Sequence, residues 1–263
     1  MSLSRIRLAS FACLVLLAAQ AQGQTTADPL APAAAPAAGA ASWGLGVGAQ
    51  FSRSPYRGVG NRNSAIPIVL YDGSWVRVRG NVIDLKLPSS GAFDFALRAK
   101  YALGSGYEAD DSSYLTGMAE RKGGLMLGAA ADWRSPLGKL SLEWLGDVSD
   151  HSKGQNLRLG IEHGYRLGAF NLTPHLGLTW MDEKYVDYYY GVRAEEALPL
   201  RAAYQGAATT NAELGLRVDY GLTPASFILI DAGYERLGGG IKDSPLVERK
   251  SVPSLRLGYL YNF

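Results

Sequence analysis

Apolar and polar residues alternate along most of this chain with a period of two, in segments of roughly ten residues separated by turn formers. Phe93, Phe95, Leu97, Ala99, Tyr101 and Leu103 alternate with Asp94, Ala96, Arg98, Lys100 and Ala102. Leu157, Leu159 and Ile161 alternate with Arg158, Gly160 and Glu162, and the closing stretch "LRLGYLYNF" places Leu255, Leu257, Tyr259, Tyr261 and Phe263 on one parity. Successive side chains of a strand point to opposite faces, so each segment has one apolar face and one polar or small face. No stretch shows sustained helical periodicity.

Segment length says which solvent the apolar faces meet. Soluble strands run about five or six residues, whereas strands that cross a bilayer need about nine to eleven, and most segments here reach that length. The pattern predicts strands at 43–51, 64–72, 74–79, 81–87, 93–103, 122–134, 139–149, 155–167, 169–181, 209–221, 225–236 and 252–263. That is an all-β fold, a transmembrane antiparallel up-and-down β-barrel of twelve strands, with ten as the alternative if the two short segments around Arg79-Gly80-Asn81 form one bent strand. Pro67 and Pro174 fall inside predicted strands, where each removes a ladder donor and predicts a bulge or a strand end. Aromatic residues gather near segment ends, at Trp43, Tyr101, Trp133, Tyr165, Trp180, Tyr220, Tyr234 and Tyr259, as in the interfacial girdles of outer-membrane barrels. Short connections ("SPLG", "LGA", "LTPAS") alternate with long ones at about 104–121, 182–208 and 237–251, which predicts periplasmic turns and outer loops.

The amino terminus adds a compartment. Arg5 and Arg7 precede an apolar run from Leu8 to Ala19 and the small residues Ala19-Gln20-Ala21, a secretory signal over residues 1–23. Residues 24–41, "QTTADPLAPAAAPAAGAA", have no periodicity and read as an Ala/Pro-rich flexible leader ahead of a barrel domain at 42–263. Cys13 is the single cysteine; it lies inside the apolar run, and Ser10, Phe11 and Ala12 fit a lipidation box poorly, so no disulfide framework is expected. Without Arg5 and Arg7, the 26 basic residues fall to the same number as the 24 acidic ones. A balanced chain with no dense basic block has no electrostatic reason to bind nucleic acid.

Candidate chemistry is sparse. Asp147, Asp150 and His151 are close in sequence near an outer loop, but a solvated polar loop explains them more simply than a catalytic set. His163 and His175 read as interfacial or lumen residues. The acidic "EADD" at 108–111 lacks the spaced ligands and turn glycine of a calcium loop, and the glycine-rich "GLGVG" and "LGGG" have no strand–loop–helix context for phosphate. The expectation is therefore a protein without catalytic residues, metal site or cofactor. What remains is the polar parity: Arg98, Lys100, Asp132, Arg134, Arg158, Glu162, Arg217 and Asp219 are the expected lumen charges, with Glu143, Arg166, Glu213 and Arg256 beside them. Eight strands leave an interior filled by side chains and 16 or more leave a channel, so twelve is intermediate and the lumen could be paired shut or line a narrow pore. In the loop "DEKYVDYYYGVRAEE" three adjacent tyrosines cannot share one side, which predicts a plug or lid at the barrel mouth, with a binding surface as the alternative.

Three stretches carry a family resemblance: "GLGVGAQFSRSPYRGVGNRNSAIPIVLYDG" at 44–73, "YYYGV" (Tyr188, Tyr189, Tyr190, Gly191, Val192) and the aromatic carboxy-terminal strand. Together they resemble the MipA/OmpV family of outer-membrane proteins over essentially the whole domain. The resemblance implies a non-enzymatic barrel in the outer membrane of a Gram-negative bacterium, acting as a scaffold that links a lytic transglycosylase and a penicillin-binding protein of murein metabolism. Other members are treated as adhesins or stress-response barrels, so a narrow channel for small polar solutes and a surface adhesin stay open beside it. Tyr259, Tyr261 and Phe263 also resemble the terminal signal read by the outer-membrane assembly machinery, so that machinery and outer-membrane lipid are the other expected partners.

Overall fold

The computed structural model describes residues 41–102 and 105–263; the expected signal segment and residues 24–40 of the leader lie outside the described residues. Strands β1 (Ser42–Arg53), β2 (Asn61–Asp72), β3 (Val76–Arg79), β4 (Val82–Lys86), β5 (Phe93–Tyr101), β6 (Leu125–Ser135) and β7 (Gly138–Asp147) each pair antiparallel with the next. They continue through β8 (Gln155–Glu162), β9 (Tyr165–Leu167), β10 (Phe170–Met181), β11 (Thr209–Thr223), β12 (Ser226–Arg236) and β13 (Ser251–Asn262). Both β8 and β9 pair with β10, so they are two halves of one stave. β13 returns to β1, with Gly44 opposite Asn262 and Ser52 opposite Ser254. The result is a closed antiparallel barrel of twelve staves, and the ten-strand alternative is excluded because β3 and β4 are separate strands turning at Gly80, whose φ of 58° suits glycine.

The faces are inverted relative to a soluble protein. Leu45, Val47, Leu97, Leu159, Leu178, Leu214, Leu216 and Leu257 are exposed on the outside, while Asp84, Arg98, Glu162, Arg217, Asp231 and Arg256 are buried inside. Such a wall is stable only with hydrocarbon as the outer solvent, and the sheet closes on itself from β13 to β1, leaving open only the stretch of β2 that the short β3 does not reach. At the seam the two strands approach closely: a Cβ on Gly46 would lie 2.2 Å from Tyr259 O, which is why the first strand reads "GLGVG". Leu260, off the pattern of its strand, turns inward and packs with Ile66, Ile68 and Leu70.

Pro67 departs from expectation. Its strand runs unbroken opposite Val47 of β1, with no bulge. The next residue of the same parity, Val69, directs its carbonyl to Gly80 N, so Pro67 turns its missing donor toward the edge that the short β3 leaves uncovered. Pro174 behaves as expected: the ladder to its neighbour breaks between Glu162 and Tyr165, where Pro174 cannot donate and only accepts from His163 N.

Aromatic side chains form two bands on the outer wall. Trp43, Phe93, Trp133, Tyr165 and Phe170 lie toward the short turns, with Trp43 against Tyr71 and Phe93 stacked on Trp133. Phe51, Tyr101, Trp144, Trp180 and Tyr234 lie toward the long loops. Tyr220 is only half-buried, tilted against Phe170. The long connections gather at the end opposite the short turns, which orients them outward. One of them holds helix α1 (Glu183–Tyr190), a correction to the expectation of no helix. The helix spans barely two turns and carries tyrosine on most faces, so no apolar stripe announces it; its local signal is Asp182, whose carboxylate caps Tyr185 N at 2.8 Å. A second short turn, α2 (Gly239–Lys242), opens the last loop.

Candidate functional site: a charged interior beneath a loop cap

Inside the wall, alternation places charged side chains from β4, β5, β7, β8, β11, β12 and β13, and neighbouring staves bring opposite signs together. Arg98 of β5 forks onto Asp84 of β4, at 2.7 and 2.8 Å, and reaches Glu143 of β7 at 2.6 Å; Lys100 joins Glu143 at 3.0 Å. Across the barrel, Arg158 donates to Glu213 at 2.7 Å, and Lys139 pairs with Glu162 at 2.8 Å. Arg217 lies 3.8 Å from Glu162 and 3.4 Å from Asp219, and Arg256 pairs with Asp231 at 3.0 Å. Arg217 and Asp231 are each 0% exposed, so no water-sized space adjoins them. Charges so desolvated persist only because they are paired, and removing one partner of such a pair typically costs about 3–5 kcal/mol.

The expected lumen residues fall into two groups. Arg98, Lys100, Arg158, Glu162, Arg217 and Asp219 lie in this interior network. Arg134 sits at the rim by the short turns, exposed and paired with Asp94, and Asp132 is half-buried one pleat deeper. Asp84, Lys139 and Asp231 also belong to the network, and the same parity rule applied to their short or weakly patterned segments marks them. His175 is buried there too, its Nε2 3.7 Å from Glu213 Oε1.

Over the outer mouth the long loops form a core of their own. Tyr56, Val59, Tyr107, Leu115, Met118, Val192 and Leu246 cluster there, while Val186 of α1 packs with Met181, Leu237, Ile241 and Val247. Tyr190 stacks on Tyr56, Tyr56 Oη donates to Tyr189 O, and Tyr189 Oη donates to Lys122 O. Burial raises the Tyr56, Tyr189 and Tyr190 phenols and pushes those of Tyr107 and Tyr185 up to about 12. Tyr188 stays nearer the surface, its hydroxyl accepting from Lys122 N. The five residues Tyr188 to Val192 therefore stitch the cap together from several sides.

One buried ion pair pins this cap. Arg121 Nη2 donates to both oxygens of Glu196, at 3.0 and 2.8 Å, while Ala119 N and Arg193 N donate to the same carboxylate. Burial pushes Glu196 up, but the two backbone donors and the Arg121 guanidinium outweigh it and hold the carboxyl below its usual value. Arg201 gathers the carbonyls of Tyr114, Thr116 and Glu196, locking two loops to each other. Gly106 makes one crossing possible: its φ is 96°, and a Cβ there would lie 1.8 Å from Arg121 O. Beside the cap a crevice of about 540 Å³ is lined by Arg121, Lys153, Tyr188, Arg193, Tyr204 and Gln205.

The remaining sequence candidates form no catalytic or metal geometry. Asp147 accepts from Ser149, Ser152 and Lys153 and organises its turn, while His151 Nδ1 lies 2.9 Å from Gly123 O, away from any carboxylate it could use. His163 sits at the strand break against Tyr165. Asp111 of "EADD" accepts from Glu108 N and faces Arg62, and no group of metal-ligating side chains occurs among the described residues.

Comparison with known proteins agrees with this architecture. The family model described as MltA-interacting protein MipA matches residues 45–263. The outer membrane protein YiaT of Escherichia coli K12 is 28% identical over 221 residues, 83% of this chain and 90% of its own. The MltA-interacting protein of Escherichia coli K12 is 26% identical over 224 residues, 83% of this chain and 89% of its own. The outer membrane protein OmpV of Vibrio cholerae is 31% identical over 150 residues, 56% of this chain and 58% of its own.

Proposed function

Because the chain belongs to the MltA-interacting protein MipA family and is an integral barrel of a Gram-negative outer membrane, we propose that it is a non-enzymatic scaffold. Its short periplasmic turns would hold murein enzymes, a lytic transglycosylase and a penicillin-binding protein, close to the membrane. The observation that supports this reading is the interior: Arg217, Asp231 and Arg256 are buried in paired charges and a packed cap lies above, which favours work done at the surfaces of the molecule. Two apolar side chains on the short turns suit such contacts, Trp75 at 71% and Leu137 at 78% exposure. The conduit alternative asks those same buried pairs to separate for each passing solute.

Cross-linking in intact cells, capture of the tagged barrel in mild detergent and mass spectrometry test the proposal. A lytic transglycosylase or murein synthase is expected with the wild type and is expected to be depleted several-fold in a Trp75→Ser, Leu137→Ser variant whose folded yield is unchanged. Recovery of the assembly machinery and porins alone, together with conductance steps in a planar bilayer, would refute the scaffold in favour of the channel.

A further inference from the structure

On the outside of the wall, at the level where the strands leave the hydrocarbon, three staves place a basic cluster above an apolar strip. Tyr234 of β12 is opposite Pro253 of β13, and Arg53 of β1 follows Ser52, whose partner is Ser254, so these three residues adjoin on the outer face. Arg236 is opposite Ser251, on the same face two residues above Tyr234, and Arg249 and Lys250 lead into β13. A crevice of about 480 Å³ is lined by Arg53, Tyr234, Arg249, Lys250, Ser251 and Pro253, with Glu248 at its edge. Directly below lie Phe51, Leu255, Leu257 and Ile230, all exposed on the lipid face.

The charges in this crevice are unbalanced. Glu248 is the one acid lining it, and it accepts from Gly58 N and pairs with Arg249 at 3.2 Å. Among the described residues no carboxylate lies within ion-pair distance of Arg53, Arg236 or Lys250, and Arg249 Nε is buried without a hydrogen-bond acceptor. Guanidinium groups recognise phosphate through paired N–H donors, and basic residues beside a membrane gain most where lipid phosphates lie. Tyr234 marks the depth: an interfacial tyrosine sits at the headgroup level, so the cations just beyond it meet phosphates whose acyl chains run along Phe51 and Leu255.

We propose that this rim is a binding site for the phosphate-bearing headgroup of an outer-leaflet glycolipid. Occupancy would tie one side of the barrel to the surrounding leaflet and order the last loop, in which Glu248 N already donates to Pro55 O.

The test uses the full-length mature barrel refolded in detergent, incubated with diphosphorylated lipid A or with the same lipid stripped of both phosphates, and read by native mass spectrometry. The wild type is expected to retain the diphosphorylated form at least about tenfold better, and Arg53→Gln combined with Arg249→Gln and Lys250→Gln is expected to abolish that preference. The single Arg53→Gln variant should lose part of it, and Lys122→Gln, an exposed cation of the same end outside the crevice, should lose none. All variants should keep the heat-modifiable folded form. Equal retention by the triple variant, or an equal loss in Lys122→Gln, would overturn the proposal; so would full displacement by an equal concentration of inorganic phosphate, which would make this a free-anion site.

Discussion

Removing the Glu196 carboxylate should open the cap while leaving the barrel intact. In Glu196→Ala, the Arg121 guanidinium, whose side chain is 2% exposed, loses both bonds to the carboxylate and keeps the carbonyls of Tyr188 and Ala119 and its contacts with the Tyr107 and Tyr188 rings. Ala119 N and Arg193 N lose their acceptor as well. Breaking a buried pair from one side costs about 3–5 kcal/mol, and each stranded buried donor about 1–3 kcal/mol before water reaches it. Taking the pair alone, the open fraction of the cap should rise by roughly two to three and a half decades, at about 1.4 kcal/mol per decade. The assay is proteolysis from outside on proteoliposomes holding the oriented barrel. When opening is fast relative to cleavage, the cutting rate follows the open population, so cuts within 105–124 and 182–208 should accelerate about a hundredfold or more. The unheated, fast-migrating form on gels should persist. Arg121→Met should accelerate cutting as well, and combining it with Glu196→Ala should add far less than the sum, because the two act on one contact. A cutting rate within threefold of the wild type, with the barrel folded, would refute the assignment of this pair as the latch.

Leu216→Arg places a charge on the lipid face near mid-wall, opposite Pro174 and Ala232, and should cost about 2–4 kcal/mol in reversible folding into vesicles; a cost near zero would mean that this face does not meet hydrocarbon. Deleting Phe263 removes the bond from its N–H to Trp43 O and the edge contact with Tyr261, and should lower the membrane yield of folded protein far more than a deletion in the outer loops, by quantitative gel shift. Burial raises the cap phenols, so their contribution to cap stability is complete below pH 10 and lost as pH climbs through 10 toward 12. Tyrosinate absorbance should accordingly lag that of free tyrosine, and protease sensitivity of the cap should rise in that window. Glu196 acts with the opposite sign: its carboxyl is held low, so its contribution is complete above pH about 4.5 and fades as pH falls below that value, which the same protease assay reads.

The barrel itself was legible in the order of residues, because a period of two is a local property and each stave carries it alone. The alternation in Phe93 to Tyr101 and in Leu255 to Phe263 is enough to orient both strands, and even the short β3 and β4 show in "VRVRGNVIDLK". The inward charges were legible as a set for the same reason. Their partners were legible only in part: Asp84 lies directly opposite Arg98 in the ladder of consecutive strands, but Arg98 meets Glu143 only because β5 and β7 curve around one axis, and nothing in a separation of 45 residues foretells that. Pro67 was misjudged because a strand pattern does not tell which edge of a strand will lie open. The helix of the cap was invisible to periodicity because it spans two turns with only Val186 and Tyr189 buried, too few positions to form a repeat. The sequence by itself thus determined which side chains face lipid and which face inward, through local alternation. Only the tertiary structure decided which charges meet across strands that are not consecutive, as Arg98 and Glu143 do, and how the expected lid is pinned, through Arg121 and Glu196, because both contacts join segments far apart along the chain.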